Sequence, residues 1–284
     1  MTPRTLRHGL SLLAAALACA SLSACAPTSK PPQKPAHDRN VLWRMIHESC
    51  APAAGRHAYP PAPCIEVAPP GAGANGYAVL KDRAGRYQYL VLPLARIVGI
   101  ESPLLLQPDT PNYLADAWNA GMYVEAALHK RLPRDAMSLV VNSVHDRSQD
   151  QLHIHVDCIR PDVHDALQRL LPDITDRWQP LAEPLPPNGG RYQAKWTSGT
   201  TLSTNAFKSL AASLPHGDRM ALHSLAVVGA RRASGEPGFI LLSSRYEPAQ
   251  GYRGNAEKLQ DQACAIAAPD MRPPVATTPR PSPR

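Results

Sequence analysis

The sequence predicts an α+β fold: an antiparallel sheet with helices packed on it. Two observations carry the prediction. Short runs rich in β-branched and aromatic residues come in neighbouring pairs separated by turn residues, the pattern of hairpins. Helical periodicity is confined to separate blocks between those pairs.

Val41 to Ser49 has apolar residues at helical spacing and predicts a short helix ending at Cys50. Tyr77–Lys81 and Tyr87–Leu92 are predicted strands, and Asp82-Arg83-Ala84-Gly85 between them has turn chemistry. Pro111 opens a helix to about Leu132, with Tyr113, Ala117, Gly121, Val124 and Leu128 on one face and Pro133 as its stop. Pro103-Leu104-Leu105-Leu106 reads as core, with the wall of an apolar groove as the alternative. Ala136–Val141 and Leu152–Ile159 are two further strands joined by the polar turn Asn142 to Gln151. Pro161-Asp162 starts a helix through Leu171, with proline in the first turn, where its missing N–H costs nothing. A C-terminal segment extends the α+β character. It has a strand at Tyr192–Thr197, a helix at Asn205–Leu214, and a hairpin of Leu222–Ala230 with Phe239–Ser244. A closing helix is predicted over Asn255–Ile266, and no internal repeat is legible.

The chain has 284 residues, 44% of them hydrophobic and 19% charged, so it has ample material for a core; 31 prolines imply many loops. The net charge of +7 is concentrated at the two ends, through Arg4 and Arg7 and through Arg272, Arg280 and Arg284. The remainder carries little excess charge, which argues against a nucleic-acid partner; no protein partner is predicted either.

Arg4 and Arg7 precede an apolar run from Gly9 to Ala20, which is followed by Leu22-Ser23-Ala24-Cys25. A positive end, a short apolar stretch and small residues before a cleavage point describe an export signal over residues 1–24. The run is shorter than the roughly 20 residues of a membrane span. Leu-Ser-Ala-Cys resembles the bacterial lipobox, which makes Cys25 the acylated first residue of the mature chain. Residues 25–40, Pro-rich and polar, read as a tether, 41–266 as the folded domain and 267–284 as a disordered Pro-rich tail. The expected location is the bacterial cell envelope, as a membrane lipoprotein facing the periplasm.

That compartment is oxidising, so cysteines are read as bridges. Cys50, Cys64, Cys158 and Cys264 remain, which allows three pairings. Cys50 and Cys64 flank a Pro/Gly/Ala-rich loop and make the natural local pair; Cys158 would then join Cys264. A Cys/His zinc site is the alternative, but it lacks paired C-x-x-C spacing.

The informative segment is Gln149-Asp150-Gln151-Leu152-His153-Ile154-His155-Val156-Asp157-Cys158. On a strand Gln151, His153, His155 and Asp157 share one face, and Leu152, Ile154, Val156 and Cys158 the other. Two imidazoles on one rigid face suit nucleophilic chemistry or a metal; the plain alternative is an exposed polar face. For a metal nothing fixes a third ligand, so none is assigned, and no cofactor is expected. Asn142, Ser143, Arg147 and Gln149 supply amide, hydroxyl and guanidinium donors upstream, a set suited to the oxygens of a phosphoryl group.

Gln149-x-x-x-His153-φ-His155-φ resembles the active-site strand of the histidine-triad superfamily, written His-φ-His-φ-His-φ-φ, with Asn142 and Gln149 at the polar positions that precede the triad. The resemblance makes His153 the nucleophile of a nucleotidyl-histidine intermediate and His155 the third position. Gln151 replaces the first histidine, whose backbone carbonyl orients the nucleophile in that superfamily. A closer resemblance is to the bacterial CDP-diacylglycerol pyrophosphatases. It rests on His153 to Val163, Gly76 to Asp82, Gly99 to Leu105, Thr110-Pro111-Asn112 and the four cysteine positions. The implied fold is histidine-triad-like. The implied reaction is hydrolysis of CDP-diacylglycerol, a membrane lipid, to CMP and phosphatidate through a cytidylyl-histidine. Asn142, Ser143, Gln149, Gln151, Lys81 and Arg147 are the expected phosphate or substrate contacts. Two alternatives stand beside it: a non-catalytic envelope lipoprotein, and a related enzyme acting on other nucleotide diphosphates.

Overall fold

A computed structural model describes residues 38–68 and 75–268. The expected signal peptide, Cys25, most of the tether and nearly all of the Pro-rich tail lie outside the described residues. Within the described residues nine strands form one sheet: β1 Glu66–Ala68, β2 Tyr77–Lys81, β3 Tyr89–Pro93, β4 Met137–Val141, β5 Ile154–Cys158, β6 Gln179–Pro180, β7 Gln193–Ser198, β8 His223–Arg231 and β9 Pro237–Arg245. Their order across the sheet is β1-β2-β3-β5-β4-β8-β9-β7-β6, and every pairing is antiparallel. The α+β class holds. Among the described residues six short α-helices accompany the sheet: α1 Val41–Arg44, α2 Ala51–Gly55, α3 Tyr113–Asn119, α4 Gly121–Leu128, α5 Pro161–Leu170 and α6 Ala206–Ala211.

The strand order is palindromic about the β4–β8 pair. One half runs β2-β3, helices α3 and α4, then β4-β5; the other runs β6-β7, helix α6, then β8-β9. A repeat therefore exists in topology. The sequence hides it because the two halves share a strand pattern without sharing residues.

Opposed residues on paired strands point to the same face. One row across the sheet runs Leu80, Leu90, His155, Val140, Ala226, Leu242 and Ala194. The adjacent row, on the other face, runs Lys81, Tyr89, Val156, Leu139, Val227, Leu241 and Lys195. Helices α3 and α4 cover this second face. The Tyr123 ring of α4 lies 5.7 Å from that of Tyr89, and Trp118 of α3 stands edge-on to Phe239 at 4.9 Å. On the histidine face, Ile46 packs with Leu80, Leu90, Leu92 and the Cys50–Cys64 pair. Farther along that face, Arg232 donates to the Leu171 and Ile174 carbonyls and lies 4.5 Å over Trp196, which ties the end of α5 down. The histidine strand stands between these two coverings.

Both expected disulfides are present: Cys50–Cys64, with Cα atoms 5.6 Å apart, and Cys158–Cys264, at 5.2 Å. Three predicted helices differ from the structure. The first continues past Cys50 to Gly55, through a π-helical turn at Met45–Cys50 beside Pro52, which removes an N–H from the ladder. The helix expected over Pro111–Leu132 is two helices, broken at Ala120-Gly121 and ended by His129 in the left-handed region (φ 51°). The expected closing helix over Asn255–Ile266 is not α-helical. It consists of 3-10 turns at Ala256–Leu259 and Ala265–Ala267. Backbone bonds to the end of β5, Arg160 N–H to Leu259 O and Asp261 N–H to Cys158 O, together with the Cys264 bridge, hold the segment extended between those turns. Tertiary bonding here overrides an Ala-rich helical propensity. The last residues read as tether, 38–40, are docked: Asp150 N–H donates to Arg39 O, and Gln149 Nε2 to Asp38 O. Of Pro103–Leu106 only Leu105 is core; Leu104 and Leu106 are exposed.

Candidate active site

His155 on β5 and His153 immediately before it stand with ring centroids 5.1 Å apart and the planes inclined at 63°. The exposed polar face offered by the plain reading is not found: Gln151, His153, His155 and Asp157 are all buried. Continuing the β4–β5 register past its last pair, Val140 with His155, brings Asn142 opposite His153.

The Gln151 carbonyl sits 2.7 Å from His153 Nδ1. A carbonyl oxygen only accepts, so Nδ1 carries the hydrogen and Nε2 holds the lone pair. Burial, and after it the neighbouring His155, lower the pKa of His153 to about 4, so the ring is neutral at pH 7. The Gln151 side chain donates through Nε2 to the Pro93 and Ala95 carbonyls, at 2.9 and 3.0 Å. The residue that departs from the triad thus anchors its own backbone, and that backbone orients His153.

Neither ring nitrogen of His155 has a hydrogen-bond partner, although both are buried. Its Nδ1 lies 3.6 Å from Glu257 Oε1 and 4.0 Å from Asp82 Oδ2. Buried polar atoms are ordinarily satisfied, so an orphaned imidazole facing two carboxylates has nitrogens available to a ligand. Glu257 is itself fixed to Asn142: Asn142 Nδ2 donates to Glu257 Oε2, and Glu257 N–H donates to Asn142 Oδ1, both at 3.2 Å. Gln260 Nε2 donates to the His155 carbonyl, while Asp157, next on the strand, is driven up to a pKa of about 7 by burial.

Arg147 is the buried cation of the site. Nη1 donates to Glu101 Oε2 at 2.6 Å, and Nε and Nη2 to Asp150 Oδ1. The guanidinium lies against Gly99, where a Cβ would meet Nη1 at 2.1 Å, so a side chain there would displace Arg147. Asp150 also accepts two bonds from Arg39; those bonds, and after them Arg147, lower its pKa to about 2.

Asn142, Arg147, Gln151 and His153 line one small crevice with Gly99, Val141 and Leu152. Ser143 and Gln149 serve the framework around it. Ser143 Oγ donates to Arg253 O, against Gly254 at φ 70°. Gln149 accepts from Leu42 N–H and donates to Asp38 O. Lys81 belongs by register to the opposite face, with its ammonium bonded to the Asp82 and Gly85 carbonyls and 5.5 Å over the Tyr89 ring. Sequence reasoning did not pick out Gly99, Glu101, Asp82, Glu257 or Gln260. The first three fall within segments that carry the family resemblance; nothing local marks the last two. Among the described residues no group of three or more His, Cys, Asp or Glu is arranged to hold a metal ion. A larger cavity of about 510 Å³ lies at the far half, but its imidazole, His223, is already committed to Asp218 at 2.9 Å and Ser243 at 3.2 Å.

Fold and site define a class: an α+β protein whose crevice gathers a neutral buried imidazole, an amide and a guanidinium, groups suited to hydrolytic phosphoryl chemistry. The comparison with protein families narrows this. The family model described as CDP-diacylglycerol pyrophosphatase matches residues 37–268. The chain belongs to that family, and is accordingly a hydrolase of the pyrophosphate bond with CDP-diacylglycerol as substrate.

Proposed function

We propose that His153 is the nucleophile and that hydrolysis passes through a cytidylyl-histidine. Nε2 attacks the phosphorus attached to cytidine. A P–N bond forms as the anhydride P–O bond breaks, and phosphatidate leaves with the electron pair. Water then attacks the same phosphorus, the P–N bond breaks, and CMP is released with the imidazole neutral again. The observation that carries this reading is the 2.7 Å bond from His153 Nδ1–H to the Gln151 carbonyl, which leaves the lone pair on Nε2.

In this reading His155 gives a proton to the leaving phosphatidate oxygen and takes one from the incoming water. Asn142 and Arg147 contact the transferring phosphate. Gln151 and Gln149 hold the frame, with Ser143 beside them. Release of phosphatidate places the reaction in phospholipid metabolism. The lipobox-like Leu-Ser-Ala-Cys supports acylation at Cys25 and a periplasm-facing membrane position, which the mass of the mature N-terminal peptide tests.

The test of the mechanism is a brief incubation with base-labelled CDP-diacylglycerol followed by quench and peptide mapping. Acid-labile label on His153, absent from His153→Ala, is the expected result. Turnover with label elsewhere, or with none trapped at any time, overturns the covalent step.

A further inference from the structure

Both nitrogens of His155 are buried without hydrogen-bond partners, and the carboxylate nearest Nδ1 comes from a distant part of the chain. Glu257 sits in the 3-10 turn Ala256–Leu259, beyond the last strand of the sheet. Several bonds register that segment on β5. Gln260 Nε2 donates to the carbonyl of His155 itself, Asp261 N–H donates to Cys158 O, and Arg160 N–H donates to Leu259 O. The Cys158–Cys264 bridge fastens it again farther on. The carboxylate is fixed within this frame. Asn142 holds Glu257 at two points, by donating to Oε2 and by accepting from the backbone N–H. The other oxygen, Oε1, is left facing His155 Nδ1 at 3.6 Å. Asp82 is the second carboxylate toward that nitrogen, at 4.0 Å, and its Oδ1 accepts from Ala84 N–H within its own turn. The other ionisable neighbours, His153 and Asp157, share the strand face of His155.

We infer that Glu257 is a positioning residue for His155: its carboxylate accepts Nδ1–H, directs Nε2 at the reacting atoms, and offsets the charge of the imidazolium formed when water is deprotonated. The inference rests on the reading that His155 moves protons in the reaction at His153. A separation of 3.6 Å is slightly long for a hydrogen bond, and bonds of this kind tighten as substrate fills a site. In the hydrolytic half, water gives a proton to His155 Nε2 as its oxygen bonds to phosphorus and the P–N bond to His153 breaks. His155 is then an imidazolium with Nδ1–H on Glu257. It passes the Nε2 proton to the phosphatidate oxygen of the next cycle, and Glu257 stays ionised throughout. A carboxylate behind an imidazole in this way fixes the tautomer of the ring and steadies its charged form.

The test uses the full chain with base-labelled CDP-diacylglycerol in mixed micelles and compares the wild-type chain, Glu257→Gln, His155→Ala and the double variant. Glutamine keeps an acceptor for Asn142 and removes the charge. Glu257→Gln is expected to lower kcat by about tenfold to a hundredfold with KM within about twofold. Label on His153 should accumulate during turnover, because attack by water depends on His155 more than expulsion of phosphatidate does. Adding Glu257→Gln to His155→Ala should cost no more than about a further twofold, since the carboxylate acts through that ring. A readout on the unsubstituted chain accompanies these: 15N-histidine spectra should show neutral His155 with its hydrogen on Nδ1. Equal kcat of Glu257→Gln and the wild-type chain overturns the inference. So do losses that multiply in the double variant, a loss confined to KM, or a neutral His155 with its hydrogen on Nε2. Accumulation of label in Asp82→Asn and not in Glu257→Gln overturns it too, by giving the role to Asp82. If turnover proceeds and label is trapped in no chain, the covalent reading fails, and the double variant still decides whether Glu257 acts through His155.

Discussion

His153 is predicted to stay a competent nucleophile well below the usual imidazole range. The perturbation is a fall in pH from 7 to 5. With the pKa lowered to about 4 by burial and by His155, about 90% of the rings remain neutral at pH 5. An ordinary histidine, with a pKa of about 6.5, would be about 3% neutral, so the two cases differ roughly thirtyfold. The assay is the yield of cytidylyl-histidine in a single turnover, measured between pH 4 and 8 in mixed micelles at constant ionic strength. The yield should hold to pH 5 and fall near pH 4. A thirtyfold loss by pH 5, following a midpoint near 6.5, would refute the argument that burial keeps the lone pair free. The sign for stability follows from the same shift. The folded pKa is depressed, so the unfolded chain binds the proton first. Stability is whole above about pH 6.5 and is lost as pH falls toward about 4, with about 2 kcal/mol gone at pH 5.

Asp157 shifts the other way, to about 7, so its stabilising neutral form is lost as pH rises through that value. Asp157→Asn, which keeps the acceptor for Cys158 N–H, should be about 2–4 kcal/mol more stable than the wild-type chain at pH 8, with the gain shrinking toward pH 5 in thermal melts. Gln151→Ala strands the Pro93 and Ala95 carbonyls and should cost about 1–3 kcal/mol in urea unfolding, yet reduce kcat less than His153→Ala because the orienting carbonyl is backbone. Cys158→Ser/Cys264→Ser opens a loop with a sequence separation of 106 and should lower stability by about 2–5 kcal/mol, more than loss of the Cys50–Cys64 bridge with its separation of 14.

The strands were legible because continuous β-branched and aromatic runs such as Tyr89–Leu92 and Leu139–Val141 match a sheet buried on both faces, and the turns between the runs are polar. The histidine strand was legible as well: its period of two puts the functional side chains on one face before any tertiary contact is known. Helix ends were not. The break at Gly121 depends on close packing, since a Cβ there would meet Met137 Cε at 3.2 Å. The closing segment was misread because its backbone bonds go to the end of β5 and not to itself. Half of the site was hidden by the same kind of distance. Glu257 meets Asn142 across 115 positions, and Gln260 reaches His155 across 105, so no window of sequence contains either pair. Lys81 sat close to the right strand but one residue out of phase, which in a sheet means the opposite side.

The palindromic sheet bears on how many substrates one polypeptide can process. In the row that holds His155, the far half supplies Ala226 and Leu242, which are inert hydrocarbon. Saturating label should therefore stop at one adduct per chain, despite two architecturally matched halves. The catalytically silent half still matters to the working one, because the polypeptide that leaves β9 crosses back over the sheet to bring in Glu257 and Gln260. A lesion in the connection after β9 should accordingly silence chemistry on a strand some hundred residues upstream.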